Sequence, residues 1–282
     1  MAGTRLILDL LASRQRYRYG PHRSQRADLY VPKRAGPHPV MVVIHGGSWH
    51  AGYGKIVMRG LAGDLVRRGW AVWNIEYRRV GDGGGWPETF EDVAAVIDRL
   101  PELEAPLDLE QVAILGHSAG GHLALWAAGR EKLPAGAPGA LAGPAKTRLR
   151  QVISQAGVCD LAEGYRRMPE GPVKALIGGG PKRFPERYAV ADPLAQVPLD
   201  MPVLLVHGVQ DETVSVDLSR NYERAARLAG AAVELVEIEG VAGRHRAHID
   251  PRGEAWAAVL ERLPSVAPKG APTPVSLARR PS

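Results

Sequence analysis

The chain has 282 residues, 45% of them hydrophobic, which is enough for one large domain with a sizeable core. Its 36 basic and 30 acidic residues are dispersed, with no basic run interleaved with aromatic residues, and this argues against nucleic-acid binding. The single cysteine, Cys159, follows an apolar run, so we expect a buried, inert thiol and a cytoplasmic location.

The first 25 residues form an N-terminal segment with an apolar patch, which predicts a short amphipathic helix. Asp9 interrupts the patch, so the segment lacks the long apolar region of a signal peptide. No run of about 18 apolar residues occurs, and we expect no transmembrane helix and no membrane partner. The apolar face of the predicted helix consists of Leu6, Ile7, Leu10 and Leu11.

Residues 26–263 alternate between short apolar runs and amphipathic helical patterns. This alternation predicts an α/β domain with a mostly parallel sheet and helices on both faces. The predicted strands are ADLYVP, HPVMVVIHGG, WAVWNIEY, VAILGHS, RQVISQAGV, MPVLLVHGVQD and AVELVEIEG. The predicted helices are IVMRGLAGDLVRRG, PETFEDVAAVIDRL, AGGHLALWAAGR, VDLSRNYERAARLAG and EAWAAVLERL.

Three stretches depart from the alternation. Residues 131–148 are rich in Ala, Gly and Pro and indicate a surface loop. Residues 160–198 indicate a small helical insert, and an insert at the carboxyl edge of a parallel sheet is placed to cover a site as a lid. Residues 264–282 contain too few apolar side chains to pack, so we expect a disordered tail.

The segment Gly116-His117-Ser118-Ala119-Gly120 fits the pattern G-x-S-x-G at a predicted strand-to-helix turn. Glycine is needed on both sides because the turn is tight, and the turn presents the serine Oγ at the N-terminus of a helix, where developing negative charge is favoured. The alternative is that these residues only cap the helix. The context favours Ser118 as a nucleophile.

A serine nucleophile needs a histidine base oriented by a carboxylate. In α/β domains whose nucleophile lies in a G-x-S-x-G turn, the three residues follow along the chain in the order serine, acid, histidine. Asp211 lies just past a predicted buried strand, at the same sheet edge as Ser118, although it also suits a cap or turn before the next helix. Only His245 and His248 follow it, and their spacing does not separate them. His207, at the end of the strand, is interpreted as a structural histidine.

The glycine-rich turn in HGGSW follows another predicted strand and predicts amide donors for an oxyanion. The candidate donors are Gly46, Gly47 or Ser48, together with Ala119. His45 is interpreted as ordering this loop. Trp49 either forms a wall of the acyl pocket or packs in the core.

Other motifs do not support a cofactor or a metal. Lys55 follows a glycine, but the residue after it is Ile56, where a P-loop needs Ser or Thr. The glycine runs GDGGGW and IGGGP lack the strand-to-helix context of a dinucleotide site. No cluster of His, Cys or carboxylate residues has the spacing of zinc ligands, so we expect no metal.

Together these motifs resemble the α/β-hydrolase superfamily over about residues 26–263, in the esterase-like branch of feruloyl-esterase-related enzymes, hormone-sensitive-lipase-like carboxylesterases and kynurenine formamidase. The segments HGGSW, GHSAGGHLA and GVQDETV resemble the oxyanion motif, the nucleophile elbow and the acid loop. HRAHIDP resembles a His-Phe-Asp-x-Ile-Asp-Pro segment whose leading histidine is catalytic, which implies His245 rather than His248 as the base. Arg246 and Ala247 depart from that segment.

The resemblance implies hydrolysis of carboxylic esters by Ser118, His245 and Asp211, with small soluble acyl substrates and no cofactor. The nearest alternative is an arylformamidase that cleaves N-formyl aryl amines. A non-catalytic ligand-binding protein with the same fold is a third reading, but such proteins usually lose a triad residue. The sequence does not indicate an oligomeric state.

Overall fold

The computed structural model of the protein describes residues 12–264. Its strands are β1 (Ala12–Arg18), β2 (Arg26–Pro32), β3 (His38–Ile44), β4 (Ala71–Ile75), β5 (Leu107–His117), β6 (Leu149–Gln155), β7 (Val203–Gly208) and β8 (Val233–Ile238). They form one sheet in the order β1-β2-β4-β3-β5-β6-β7-β8. β2 pairs antiparallel with β1 and with β4, and all other neighbours are parallel. The mostly parallel sheet that the sequence predicts is confirmed.

Helices cover both faces of this sheet. The α-helices are α1 (Arg59–Arg67), α2 (Glu88–Asp98), α3 (Ala119–Ala128), α4 (Leu161–Arg167), α5 (Pro172–Ile177), α6 (Pro185–Ala191), α7 (Asp217–Leu228) and α8 (Glu254–Glu261). α1 and α8 pack in one core cluster, while α2, α3 and α7 pack in the other. The two faces of the sheet therefore each bury an apolar layer, as expected for parallel strands joined by helices.

The central strand β3 shows why the sheet is buried on both sides. All of its seven residues are buried, and its side chains alternate between the two core clusters. Val40 and Val42 pack with α2 and α3, whereas Met41 and Val43 pack with α1 and α8. A period of two places successive side chains on opposite faces, so a continuous apolar run is required here.

The described part of the N-terminal segment contains a strand that the sequence did not predict. Residues 12–18 form the edge strand β1, paired with β2 in full register from Ala12 to Arg18. The four residues of the predicted apolar helix face lie outside the described residues, as do residues 265–282 of the predicted tail. No helix between residues 12 and 264 is long and apolar enough to span a membrane.

The predicted insert contains three short helices, α4, α5 and α6, after strand β6. Asp160 begins α4 by accepting a hydrogen bond from the N–H of Glu163 at 2.8 Å. Asp192 closes the insert, since its carboxylate accepts the N–H groups of Ala162 at 3.1 Å and of Leu194 at 3.1 Å. These contacts hold both ends of the insert together above the carboxyl edge of the sheet.

Candidate active site

The serine of G-x-S-x-G lies in a strained turn between β5 and α3. Ser118 has a φ of 56° and a ψ of −122°, a conformation that costs free energy for a residue other than glycine. A Cβ atom on Gly116 would overlap the carbonyl group of Gly120, and a Cβ atom on Gly120 would overlap the carbonyl group of Ile44. Both glycines are therefore needed for the strand and the helix to approach each other around the serine.

Asp211 and His245 meet at the carboxyl edge of the sheet. Asp211 follows β7, and its Oδ2 accepts a hydrogen bond from Nδ1 of His245 at 2.7 Å. Because Nδ1 faces a carboxylate, it carries the proton and leaves Nε2 free to accept one. Burial opposes ionisation of Asp211, but the hydrogen bonds from His245 and from two backbone N–H groups outweigh it and lower the pKa of the carboxyl.

The second oxygen of Asp211 shapes its own loop. Oδ1 accepts the N–H groups of Thr213 at 2.8 Å and Val214 at 3.0 Å. Helix α7 begins later, at Asp217, so Asp211 is a turn residue and not the cap of that helix. The turn and the contact with His245 use different oxygens, and the aspartate makes both at once.

His248 occupies a different environment from His245. Its side chain is fully buried, and neither ring nitrogen has a hydrogen-bond partner among the described residues. Burial lowers the pKa of His248 to about 4, so its ring is neutral. Its backbone carbonyl accepts a hydrogen bond from the Gln155 side chain at 2.9 Å. The structure thus brings His245, and not His248, to the carboxylate of Asp211.

Two further histidines support this arrangement. His117 donates from Nε2 to the carbonyl of His245 at 2.9 Å, which fixes the backbone of that residue. His207 donates from Nε2 to the carbonyl of Val214 at 2.9 Å, and its Nδ1 lies 2.7 Å from Oγ of Ser219. His207 therefore holds the acid loop, as its interpretation as a structural histidine requires.

The glycine-rich turn after β3 adopts unusual backbone angles. Gly47, Ser48 and Trp49 have φ values of 117°, 53° and 57°. The N–H groups of Gly47 and Ala119 have no hydrogen-bond acceptor within residues 12–264. Free N–H groups on a loop held in one conformation are suited to bind an oxyanion.

His45 and Glu76 hold this turn from below. His45 is fully buried, and its Nδ1 lies 2.8 Å from the carbonyl oxygen of Gly46. Its Nε2 lies 2.6 Å from Oε1 of Glu76, and its ring stacks on Tyr77 with 4.5 Å between centroids. His45 orders the loop, as its sequence interpretation states. Glu76 was not predicted from the sequence, although this residue directly follows β4, which pairs in parallel with the strand before His45.

Two cavities meet at Ser118. The first, about 230 Å³ in volume, is called the apolar cavity; Trp49, Val158, Val173 and Leu218 line it, and so does Gly164 of the insert. Trp49 is also packed in the core, with its ring 5.2 Å from that of His122, so it lines this cavity and belongs to the core at the same time.

The second cavity, about 200 Å³ in volume, is called the histidine cavity. Its walls include the side chains of His245, Tyr53 and Ile249, and the turn at Gly46 and Gly47. Ser118 thus has an apolar space on one side and the Asp211–His245 pair on the other. No group of three or more His, Cys, Asp or Glu residues in the described range is placed to hold a metal ion.

The sequence of the chain is similar to a known protein family and to several curated esterases. A family model described as BD-FAE matches residues 27–225. The esterase LipC of Mycobacterium tuberculosis is 28% identical over 242 residues, which cover 80% of this chain and 58% of LipC. The esterase LipQ of the same organism is 31% identical over 216 residues, which cover 74% of this chain and 49% of LipQ. The chain therefore spans only about half the length of these curated relatives.

A solved structure gives a likeness over nearly the whole chain. The truncated form of a carbohydrate esterase from gut microbiota is 24% identical, with a TM-score of 0.75, and the match covers 86% of this chain and 92% of that one. At this identity the likeness establishes a shared fold and does not transfer a substrate.

Proposed function

Because the chain belongs to the BD-FAE family and has the α/β-hydrolase fold, we propose that it is a serine hydrolase that cleaves carboxylic esters of small acyl groups. The observation that carries the proposal is the 2.7 Å hydrogen bond from His245 to Asp211, with the His245 ring and Ser118 lining the same cavity. The names of its relatives, esterases LipC and LipQ, support the same reaction class.

The proposed mechanism assigns one task to each residue. His245 Nε2 takes the proton of Ser118 Oγ as this oxygen bonds to the ester carbonyl carbon. Asp211 holds the ring in the required tautomer and stabilises the imidazolium that forms. The amides of Gly46, Gly47 and Ala119 bind the oxyanion. His245 then returns the proton to the alkoxy oxygen as its bond to carbon breaks, and the alcohol leaves an acyl-enzyme.

Water completes the reaction by the same steps. His245 takes a proton from a water molecule as the water oxygen bonds to the acyl carbon. The second oxyanion accepts hydrogen bonds from the same amide N–H groups as the first. The bond from carbon to Ser118 Oγ breaks and His245 returns the proton to the serine. The products are one carboxylic acid and one alcohol, and the enzyme regains its starting state.

The two cavities bind different parts of the substrate. The leaving oxygen receives its proton from His245, so the alcohol part occupies the histidine cavity, which His245 lines. The acyl group then occupies the apolar cavity beside Trp49 and Leu218. Its volume of about 230 Å³ suits a short acyl chain and is more than a formyl group fills, which favours the esterase over the arylformamidase.

The decisive experiment measures hydrolysis of p-nitrophenyl acetate, butyrate and octanoate by the wild type and by Ser118→Ala, His245→Ala and His248→Leu. We expect Ser118→Ala and His245→Ala to lose at least about 1,000-fold in kcat, and His248→Leu to stay within about tenfold of the wild type. An inert wild type, or an active Ser118→Ala, would contradict the proposal. Higher activity on N-formylkynurenine than on the esters would favour the arylformamidase.

A further inference from the structure

A further cavity, larger than the two at Ser118, lies at the edge of the sheet where β1 pairs with β2. It has a volume of about 740 Å³, and seven cationic and two acidic side chains line it, an excess of five positive charges. We call it the basic cavity. Like charges concentrated this closely repel one another, and their field attracts anions.

Strand register places the arginines together. Arg14, Arg16 and Arg18 alternate along β1, so they share one face of the strand. Arg18 lies directly opposite Arg26 of β2 in the antiparallel pair. Like charges at directly opposed positions destabilise a sheet, so a bound anion would stabilise this pair, whereas Arg16 lies opposite Asp28.

The two carboxylates of the basic cavity already have other partners. Asp28 binds Lys55 at 2.7 Å and Arg14 at 3.3 Å. Glu76 binds His45 at 2.6 Å and Arg79 at 3.1 Å.

Four arginines of the cavity are left over. Arg16, Arg18 and Arg26 have no ion-pair partner in the part of the chain that the structure describes. The same holds for Arg59 across residues 12–264. The wall thus presents four guanidinium groups without a counter-charge.

We propose that the basic cavity binds a small organic ligand through a phosphate or pyrophosphate group. Guanidinium groups form paired hydrogen bonds with phosphate oxygens, and a phosphate or pyrophosphate carries the two or more negative charges that several arginines require. The cavity is several times larger than such a group, and the exposed Ile56 provides an apolar contact for the rest of the ligand.

The basic cavity and the histidine cavity are separate but adjacent. Tyr53 and Val57 line the histidine cavity, whereas Gly54, Lys55 and Ile56 line the basic cavity. One short segment therefore forms a wall of both. Phosphate binding in the basic cavity uses no residue of the Ser118, Asp211 and His245 set, so it stands independently of the proposed hydrolysis.

Isothermal titration calorimetry of the full chain with inorganic pyrophosphate tests the proposal. We compare the wild type with the double variant Arg18→Gln/Arg26→Gln and with a matched control, Arg224→Gln/Arg252→Gln, which removes two exposed arginines outside the cavity. We expect one saturable site, at least about tenfold weaker binding in the cavity variant, unchanged binding in the control, and weaker binding as salt is added.

The cavity variant also reports on its own folding. Because Arg18 and Arg26 repel each other, their replacement leaves the Tm unchanged or raises it. Absence of saturable binding to the wild type, or equal loss of binding in the control, would overturn the proposal. A parallel arm measures sedimentation with phosphatidylglycerol vesicles; binding to vesicles without binding to pyrophosphate would overturn a soluble ligand and assign the phosphate to a lipid headgroup.

Discussion

Each carboxylate oxygen of Asp211 accepts different hydrogen bonds, so replacing one oxygen by an amide nitrogen, as in asparagine, disrupts one of the two sets. Oδ2 accepts from His245, and Oδ1 accepts from the backbone of Thr213 and Val214. An asparagine keeps one carbonyl oxygen, which the turn occupies, and then presents an amide that donates to His245. The imidazole would be forced into the wrong tautomer, with Nε2 protonated and unable to act as a base.

We therefore predict that Asp211→Asn lowers kcat for p-nitrophenyl butyrate by about three to four orders of magnitude while the fold is retained. Steady-state kinetics and a thermal melt measure the two effects. Glu212→Gln, an exposed neighbour in the same loop, is the control and keeps wild-type kcat. A decrease in kcat of less than about tenfold in Asp211→Asn would remove Asp211 from the proposed mechanism.

Glu76 holds the turn at Gly46 and Gly47, the proposed oxyanion site, through His45. Both ring nitrogens of His45 face acceptors, and Glu76 also accepts the N–H of Lys55 at 3.1 Å. We predict that Glu76→Gln lowers kcat by about ten- to a hundredfold with little change in KM, since the turn binds the oxyanion more than the ground-state ester. Glu110→Gln, an exposed charge removal on β5, serves as the control. A rise in KM at constant kcat would contradict this role.

At the scale of elements, the insert sets the size of the apolar cavity. Gly164 of α4 lines it, and a Cβ atom there would lie 3.3 Å from Val158, 3.4 Å from Val173 and 3.6 Å from Leu218. An alanine therefore fits with a small shift of its neighbours and takes volume from the acyl side. Alanine also favours a helix by about 1 kcal/mol over glycine, so the helix itself is not weakened.

We predict that Gly164→Ala lowers kcat/KM for p-nitrophenyl octanoate and butyrate by at least about threefold relative to acetate. Acetate is the internal control, because its acyl group is too short to reach the insert. The measurement is the ratio of kcat/KM values across the three esters. An unchanged ratio would mean that the acyl chain does not occupy the apolar cavity.

Elements with a clear hydrophobic period were predictable from the sequence, and polar ones were not. The seven predicted strands and five predicted helices are all confirmed, because the buried strands are short apolar runs between turn residues and most of the helices are longer and amphipathic. The edge strand β1, ASRQRYR, exposes most of its side chains and shows no such period. It forms because β2 offers a free edge, which is a tertiary effect that local sequence does not encode.

The sequence identifies the candidate site residue where a motif fixes the backbone, as at Ser118. It leaves the choice of residue undecided where that choice depends on how a loop folds. His245 and His248 are three positions apart, and only the folded loop decides which one faces Asp211. The support of His45 by Glu76 depends on strand pairing over 31 residues. The division of the chain into a domain, insert and tail stays a prediction, as does a cytoplasmic location.

At the scale of the whole molecule, buried histidines make stability depend on pH. Burial lowers the pKa of His117 to about 3, and those of His122 and His248 to about 4, from a usual value of 6.5. Above pH 6.5 both the folded and the unfolded chain hold these rings neutral, and the stability is fully present. As the pH falls from 6.5 towards 4, the unfolded chain takes up protons that the folded one excludes, and stability is lost.

Asp192 acts in the opposite direction over part of this window. Burial raises its pKa to about 6, so the folded state binds a proton more readily than the unfolded chain does, and this contribution weakens as the pH rises towards 6. Among residues 12–264, five histidines with lowered pKa values act against two carboxyls with raised pKa values, and the balance is a net loss of stability in acid. The histidines are His38, His117, His122, His207 and His248, and the carboxyls are Asp160 and Asp192. Thermal melts at pH 5.0 and pH 7.5 measure this balance.

We predict a lower Tm at pH 5.0 than at pH 7.5 for the wild type, and a smaller difference for His248→Leu. Leucine has a similar volume and does not titrate, and it removes two buried nitrogens that have no partner within the described chain. A ring whose pKa is about 4 in the folded chain and 6.5 in the unfolded chain makes the protein about 2 kcal/mol less stable at pH 5.0 than at pH 7.5, so the loss of one such ring changes the Tm difference by several degrees. If the Tm difference of His248→Leu equals that of the wild type, His248 is solvated and its ring is charged in acid within the folded protein.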